Sequence, residues 1–128
     1  MTKVFVYGSL RKGLANHALL ADSRQLGQFR FELQFKMYSL GGFPALVQDE
    51  SSRPITGEVY EIDQPTFLRL DRLEGYPHFY DRLLIDTPAG EAWVYFLNDR
   101  SYQQEVTSGD WKEFVDGKRN QSKAALSA

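Results

Sequence analysis

"KVFVYGSLRKG", residues 3–13, is the stretch from which the fold can be read. Lys3 to Tyr7 is rich in β-branched and aromatic residues and reads as a buried strand. It stops abruptly at Gly8-Ser9, and a basic pair, Arg11-Lys12, and Gly13 follow at once. A strand that runs into a small polar turn delivers backbone N–H groups to one end of a sheet. Glycine tolerates positive φ, so successive N–H groups of Gly8, Ser9 and Leu10 can converge into a concavity for an anion. The Ser9 hydroxyl adds a donor. The turn is neither a GxxxxGK[ST] phosphate loop nor a G-x-G-x-x-G dinucleotide fingerprint. An ordinary turn in which Gly8 only relieves crowding explains the same residues and stays open.

Outward from this strand the chain reads as strands with few helices. Asn16 is placed to cap a short helix over His17–Ala21. Gln25 to Leu40 partly alternates and predicts long bent strands. Gly41-Gly42-Phe43-Pro44 breaks them, Ala45-Leu46-Val47 resumes, and Gln48 to Pro54 reads as a polar turn. From Ile55 to Ile62, alternation sets Ile55, Gly57, Val59 and Glu61 on one face and Thr56, Glu58, Tyr60 and Ile62 on the other. Asp63 is an N-cap, Pro65 fits a first turn, Gly75 fits a C-cap and Pro77 blocks continuation, so a helix spans Gln64 to about Glu74. Tyr80–Thr87 and Glu91–Leu97 predict a hairpin around Pro88-Ala89-Gly90. Ser108-Gly109-Asp110 leads into a last short helix through Trp111, Phe114 and Val115. Residues 1–117 form one domain, and 118–128, poor in large apolar groups, read as a disordered tail. The class is α+β, a small barrel-like domain with a few helices.

The helix holds a carboxylate on an unexpected face. At about 100° per residue, Phe67 at zero puts Leu70 near 300°, Leu73 near 240° and Leu68 near 100°. Glu74 falls near 340°, within the apolar arc, while Arg69 and Arg72 point away. Burial disfavours the charged form and raises a carboxyl pKa, and the helix C-terminus pushes the same way. A carboxyl so tuned suits acid–base chemistry near neutral pH. Fraying that turns Glu74 to solvent, or pairing with Arg72 or Arg82, accounts for the pattern equally from periodicity alone.

Composition narrows the function. The 128 residues carry 15 Lys and Arg against 17 Asp and Glu, so no basic field holds a nucleic acid. There is no cysteine, which removes disulfides, thiol catalysis and cysteine metal sites. His17 and His78 lack ligand spacing, so no metal is expected. Ser9 with His17 lacks a G-x-S-x-G elbow and makes a poor triad. No apolar run approaches the roughly 20 residues a membrane helix needs. Met1-Thr2-Lys3 leads straight into a strand, so a cytoplasmic protein is expected. Oligomeric state is not encoded in any readable pattern.

Two motifs together carry a resemblance. "FVYGSLRKG" at 5–13 and "LDRLEGYPHFYDR" at 70–82 resemble the γ-glutamylcyclotransferase-like family, which includes γ-glutamylamine cyclotransferases and AIG2-like proteins. "GEVYEI" at 57–62 and "AWVYFL" at 92–97 fit as well, and "VYGSLRKGLANH" at 6–17 is similar to the γ-glutamylamine branch. The likeness spans about residues 3 to 115. It implies a small closed mixed β-barrel with flanking helices. It also implies cyclisation of a γ-glutamyl amine or γ-glutamyl amino acid to 5-oxoproline with release of the amine, without a cofactor. By the resemblance, Tyr7, Gly8, Ser9 and Leu10 form the anion-binding loop, Glu74 is the catalytic acid/base, and Tyr80 resembles the family's site tyrosine, although a packing role explains Tyr80 equally. The small-molecule partner would be a γ-glutamyl compound. A non-catalytic module that binds a small amino-acid-like carboxylate in the same cavity is the alternative. The loops at Gly41–Pro44 and Tyr76–Phe79 are expected to shape the end that holds the leaving amine.

Overall fold

The computed structural model describes residues 1–118, so the expected tail at 118–128 lies, apart from residue 118, outside the described residues. The named elements follow one another as β1 (Thr2–Val6), β2 (Arg24–Ser39), β3 (Pro44–Ile62), α1 (Gln64–Glu74), β4 (Asp81–Thr87) and β5 (Gly90–Phe96), with a 3-10 turn at His17–Leu20. A further helical stretch occupies 111–118. The sheet order is β2-β3-β1-β5-β4. β1 lies antiparallel to β3, from Thr2 opposite Ile62 to Val6 opposite Glu58, and parallel to β5 at Val4 and Trp93.

This central position explains the unbroken apolar run of β1. Both faces of a central strand are covered, so alternation in polarity is lost. Phe5 and Tyr7 join one core with Phe35, Leu46, Val59 and Val94. Val4 and Val6 join the other with Ile62, Phe67, Leu70 and Tyr95. α1 lies over the second core and brings its C-terminus to the end of β1 where the Gly8 turn begins.

The α+β class stands, but the sheet is not a closed barrel: its edges are β2 and β4. The long β2–β3 hairpin bends so that Val47 meets Leu97 in a single parallel bridge, with Leu97 N–H donating to Leu46 O at 2.9 Å. The free edge of β2 is taken instead by the 104–106 segment. Val106 N–H donates to Met37 O and Ser39 N–H to Gln104 O. That cover satisfies an edge that closure would otherwise have to pair.

Gln48–Pro54 is not a separate turn. It stays within β3 as an excursion: Phe35 pairs with Gln48 and Leu33 with Arg53, so one residue of β2 faces four of β3. The 3-10 turn replaces the short helix expected at His17–Ala21, and the Asn16 side chain does not cap it. No helix among the described residues is long and apolar enough to cross a membrane.

Candidate active site

Glu74 is the last residue of α1, and both ends of that helix are fixed by local chemistry. Asp63 Oδ1 accepts from Thr66 N–H at 2.9 Å. Gly75 adopts φ 66°, the left-handed cap that glycine favours, and its N–H turns back to Arg72 O. Phe67 and Leu70 anchor the buried face. Leu68 and Leu73, at the margins of the apolar arc, are exposed instead. Glu74 is half-buried and lines a cavity of about 330 Å³. Its carboxyl pairs with neither Arg72 nor Arg82 and accepts no side-chain hydrogen bond among the described residues. Burial alone pushes that carboxyl up to about 7.

Arg82 is engaged elsewhere. Its Nε lies 3.0 Å from Asp71 Oδ1, and its guanidinium stacks within 4.5 Å of the Phe67, Tyr76 and Trp93 ring centres. Tyr95 Oη donates to the same Asp71 oxygen at 2.7 Å. Asp71 therefore takes the cation and leaves Glu74 without a counter-charge.

The Gly8 turn forms the facing wall. Arg11 N–H closes onto Gly8 O at 3.0 Å and Asn16 N–H onto Ser9 O at 2.9 Å. The N–H groups of Ser9 and Leu10 donate to nothing among the described residues. Ser9 Oγ accepts from Asn16 Nδ2 at 2.8 Å, which leaves its own proton free to donate. Gly8 does not use positive φ. It is small because Pro44 packs on it: a Cβ there would lie 2.8 Å from Pro44 Cγ. His17 faces neither Ser9 Oγ nor a carboxylate; its Nδ1 meets Leu10 O and its ring lies against Tyr60, so no hydrolase triad assembles.

Tyr7 and Tyr80 present rings to the cavity while their hydroxyls hold backbone. Tyr7 Oη donates to Tyr95 O at 2.7 Å and accepts from Leu46 N–H at 3.2 Å. Tyr80 Oη donates to Pro44 O at 2.7 Å. Burial first, then neighbouring groups that include Glu74, raise both phenols above their ordinary value, so they stay neutral. Tyr7, Gly8, Ser9, Leu10, Glu74 and Tyr80 thus all line one cavity. Gly42, Phe43, Pro44 and Phe79 of the two expected loops also line it, whereas sequence reasoning missed Asn16, Leu73 and Tyr95 among the others. Among the described residues no three His, Asp or Glu side chains are grouped to hold a metal.

It also missed what holds the turn in place. Arg11, 1% exposed, extends away from the cavity. Its Nε meets Glu58 Oε2 at 2.8 Å and its Nη1 meets Asp110 Oδ1 at 3.0 Å. Glu58 Oε1 also accepts from Lys12 N–H and Tyr60 Oη. Burial pushes the Glu58 carboxyl up, but these hydrogen bonds outweigh it and hold the group below its ordinary value. The signal was present: alternation had set Glu58 on the face of Tyr60 and Ile62, a carboxylate among apolar residues.

Comparison with known proteins identifies the family. Residues 4–113 match the family model described as gamma-glutamyl cyclotransferase, AIG2-like. A Vibrio cholerae protein named as a candidate gamma-glutamylcyclotransferase is 43% identical over 113 residues, covering 88% of this chain and 96% of its own. The Escherichia coli gamma-glutamylcyclotransferase family protein YtfP is 38% identical over 115 residues, covering 85% and 95%. A crystal structure of an uncharacterized protein from Pyrococcus horikoshii superposes with a TM-score of 0.80 at 27% identity, covering 94% of this chain and 98% of that one. With residues 4–113 matched by the family model and relatives of 38–43% identity aligned over nearly their whole length, this chain belongs to the AIG2-like gamma-glutamyl cyclotransferase family.

Proposed function

We propose that the protein cyclises a small γ-glutamyl compound to 5-oxoproline and releases its amine, with Glu74 as general acid and base. The observation that carries this reading is the unpaired Glu74 carboxyl facing the same cavity as the unused N–H groups of Ser9 and Leu10. The substrate's α-carboxylate sits on the turn from Gly8 to Leu10, held by those N–H groups and by Ser9 Oγ. The rings of Tyr7 and Tyr80 wall the cavity and bind by shape, because their hydroxyls already serve Tyr95, Leu46 and Pro44.

The reaction needs one proton carrier. Glu74, as carboxylate, takes a proton from the neutral α-amine as its nitrogen attacks the γ-carbonyl carbon. The new C–N bond closes the five-membered ring, and the bond to the leaving nitrogen breaks as Glu74 returns the proton to it. Nucleophile and electrophile belong to one molecule, so no covalent enzyme intermediate and no water are consumed. Confinement supplies the ring-like conformer. A carboxyl titrating near 7 gives and takes a proton at neutral pH with little penalty either way.

Incubation of the native protein with a panel of γ-glutamyl amines and γ-glutamyl amino acids, read by chromatography of 5-oxoproline, tests this. Release from at least one member is expected. Thermal stabilisation by the panel with no release from any member would instead make the protein a binding module.

A further inference from the structure

We infer that the amine released from this site carries an uncharged apolar substituent, packed against Phe43, Leu73 and Phe79; this rests on the cyclisation reading above. Six large apolar residues are exposed among the described residues, and three of them, Phe43 at 38%, Leu73 at 41% and Phe79 at 50%, line the cavity that holds Glu74. Scattered exposed apolar side chains are ordinary, but these come from three separate segments to one mouth. Phe43 lies on the turn between β2 and β3, Leu73 in the last turn of α1, and Phe79 in the segment after it. The Phe43 and Phe79 rings meet edge to face with centres 6.3 Å apart. Beside them Gly42 leaves open space where a side chain would stand.

The charge of the lining points the same way. Among the described residues Glu74 is its only carboxylate, and no Lys, Arg or His side chain joins it; Arg11 is turned away into its pair with Glu58. The Ser9–Leu10 turn can neutralise one carboxylate, the substrate's own. A second carboxylate, on the leaving group, would be desolvated beside Glu74 with no cation to receive it. Once the turn and Glu74 are occupied, the remaining surface is that of Phe43, Leu73 and Phe79, and it rewards an apolar or aromatic group.

Calorimetric titration of the Glu74→Gln variant, in which turnover is slow, ranks four probes: the γ-glutamyl conjugates of benzylamine, methylamine, glutamate, and lysine through its ε-nitrogen. The benzylamide is expected to bind about tenfold or more tighter than the methylamide, with the glutamate conjugate weakest. Adding Phe43→Ala and Phe79→Ala, both at exposed positions, should reduce that advantage to below about threefold. Near-ultraviolet circular dichroism checks that the fold is kept. Equal affinities, tightest binding of the glutamate or ε-lysine conjugate, an advantage that survives both alanines, or no binding at all would each overturn the inference. Tight benzylamide binding with no 5-oxoproline from the native protein would overturn the cyclisation reading and with it the released amine, leaving only an apolar end of the pocket. Turnover of all four at one kcat/KM would uphold the cyclisation reading and overturn this inference.

Discussion

Arg11 places its Nε 2.8 Å from Glu58 Oε2, and both side chains are out of contact with water. The pair ties the turn that carries Ser9 and Leu10 to the centre of the sheet. Removing one member of a buried pair strands the other. Glu58→Gln, which keeps the shape and loses the charge, should therefore cost about 3 kcal/mol in urea unfolding at pH 7. The sign with pH follows from the direction of the shift. The folded carboxyl is held below its ordinary value of 4.5, so its contribution is complete above that value and is lost as pH falls through the folded one. The gap between native and Glu58→Gln proteins should narrow below about pH 4.5. A gap that stays constant down to pH 3 would contradict the pairing.

Gly8 and Pro44 touch across the mouth of the cavity. A Cβ at residue 8 would come within 2.8 Å of Pro44 Cγ and 3.0 Å of Pro44 Cδ, closer than real side chains approach. Pro44 cannot yield easily, because its carbonyl is held by Tyr80 Oη. Gly8→Ala should cost about 1–3 kcal/mol of stability and displace the turn. The kinetic reading is a raised KM for a γ-glutamyl substrate. Native stability and native KM in this variant would show that the contact gives way freely.

The raised Glu74 carboxyl makes stability and activity move in opposite directions with pH. Between its ordinary value of 4.5 and about 7 the folded protein binds a proton that the unfolded chain has released. Stability from this group therefore falls as pH rises through that window, by up to about 3 kcal/mol, and Glu74→Gln should abolish the slope. In the proposed reaction the working form is the carboxylate, so kcat/KM should drop on the acid side with a midpoint near 7. A profile that is flat down to pH 5 would mean that another group carries the proton.

What could be read in the sequence was what is encoded locally. Asp63, Pro65 and Gly75 bracket α1 through contacts within a turn, and the angular position of Glu74 follows from counting along that helix. The apolar run at Lys3–Tyr7 named a buried strand because burial on both faces removes alternation. What could not be read depends on distant partners. The reason for glycine at position 8 is Pro44, which reaches it only after the β2–β3 hairpin bends back. Arg11 looked like a basic flank because Glu58, its partner, lies 47 residues away. The polar residues from Gln48 to Pro54 hid a strand whose pairing with β2 merely skips. Closure of the sheet failed for a similar reason: the 104–106 segment, weak in strand pattern, competes for the β2 edge.

The central claim is that the Glu74 carboxyl carries the proton, and single-turnover release of 5-oxoproline by Glu74→Gln tests it most directly. With the γ-glutamyl conjugate that the native protein turns over best, the variant should keep its fold and its affinity for substrate. Its rate should fall by about two to four orders of magnitude, the usual worth of one positioned acid–base group. Release at the native rate, with substrate bound equally well, would contradict the account.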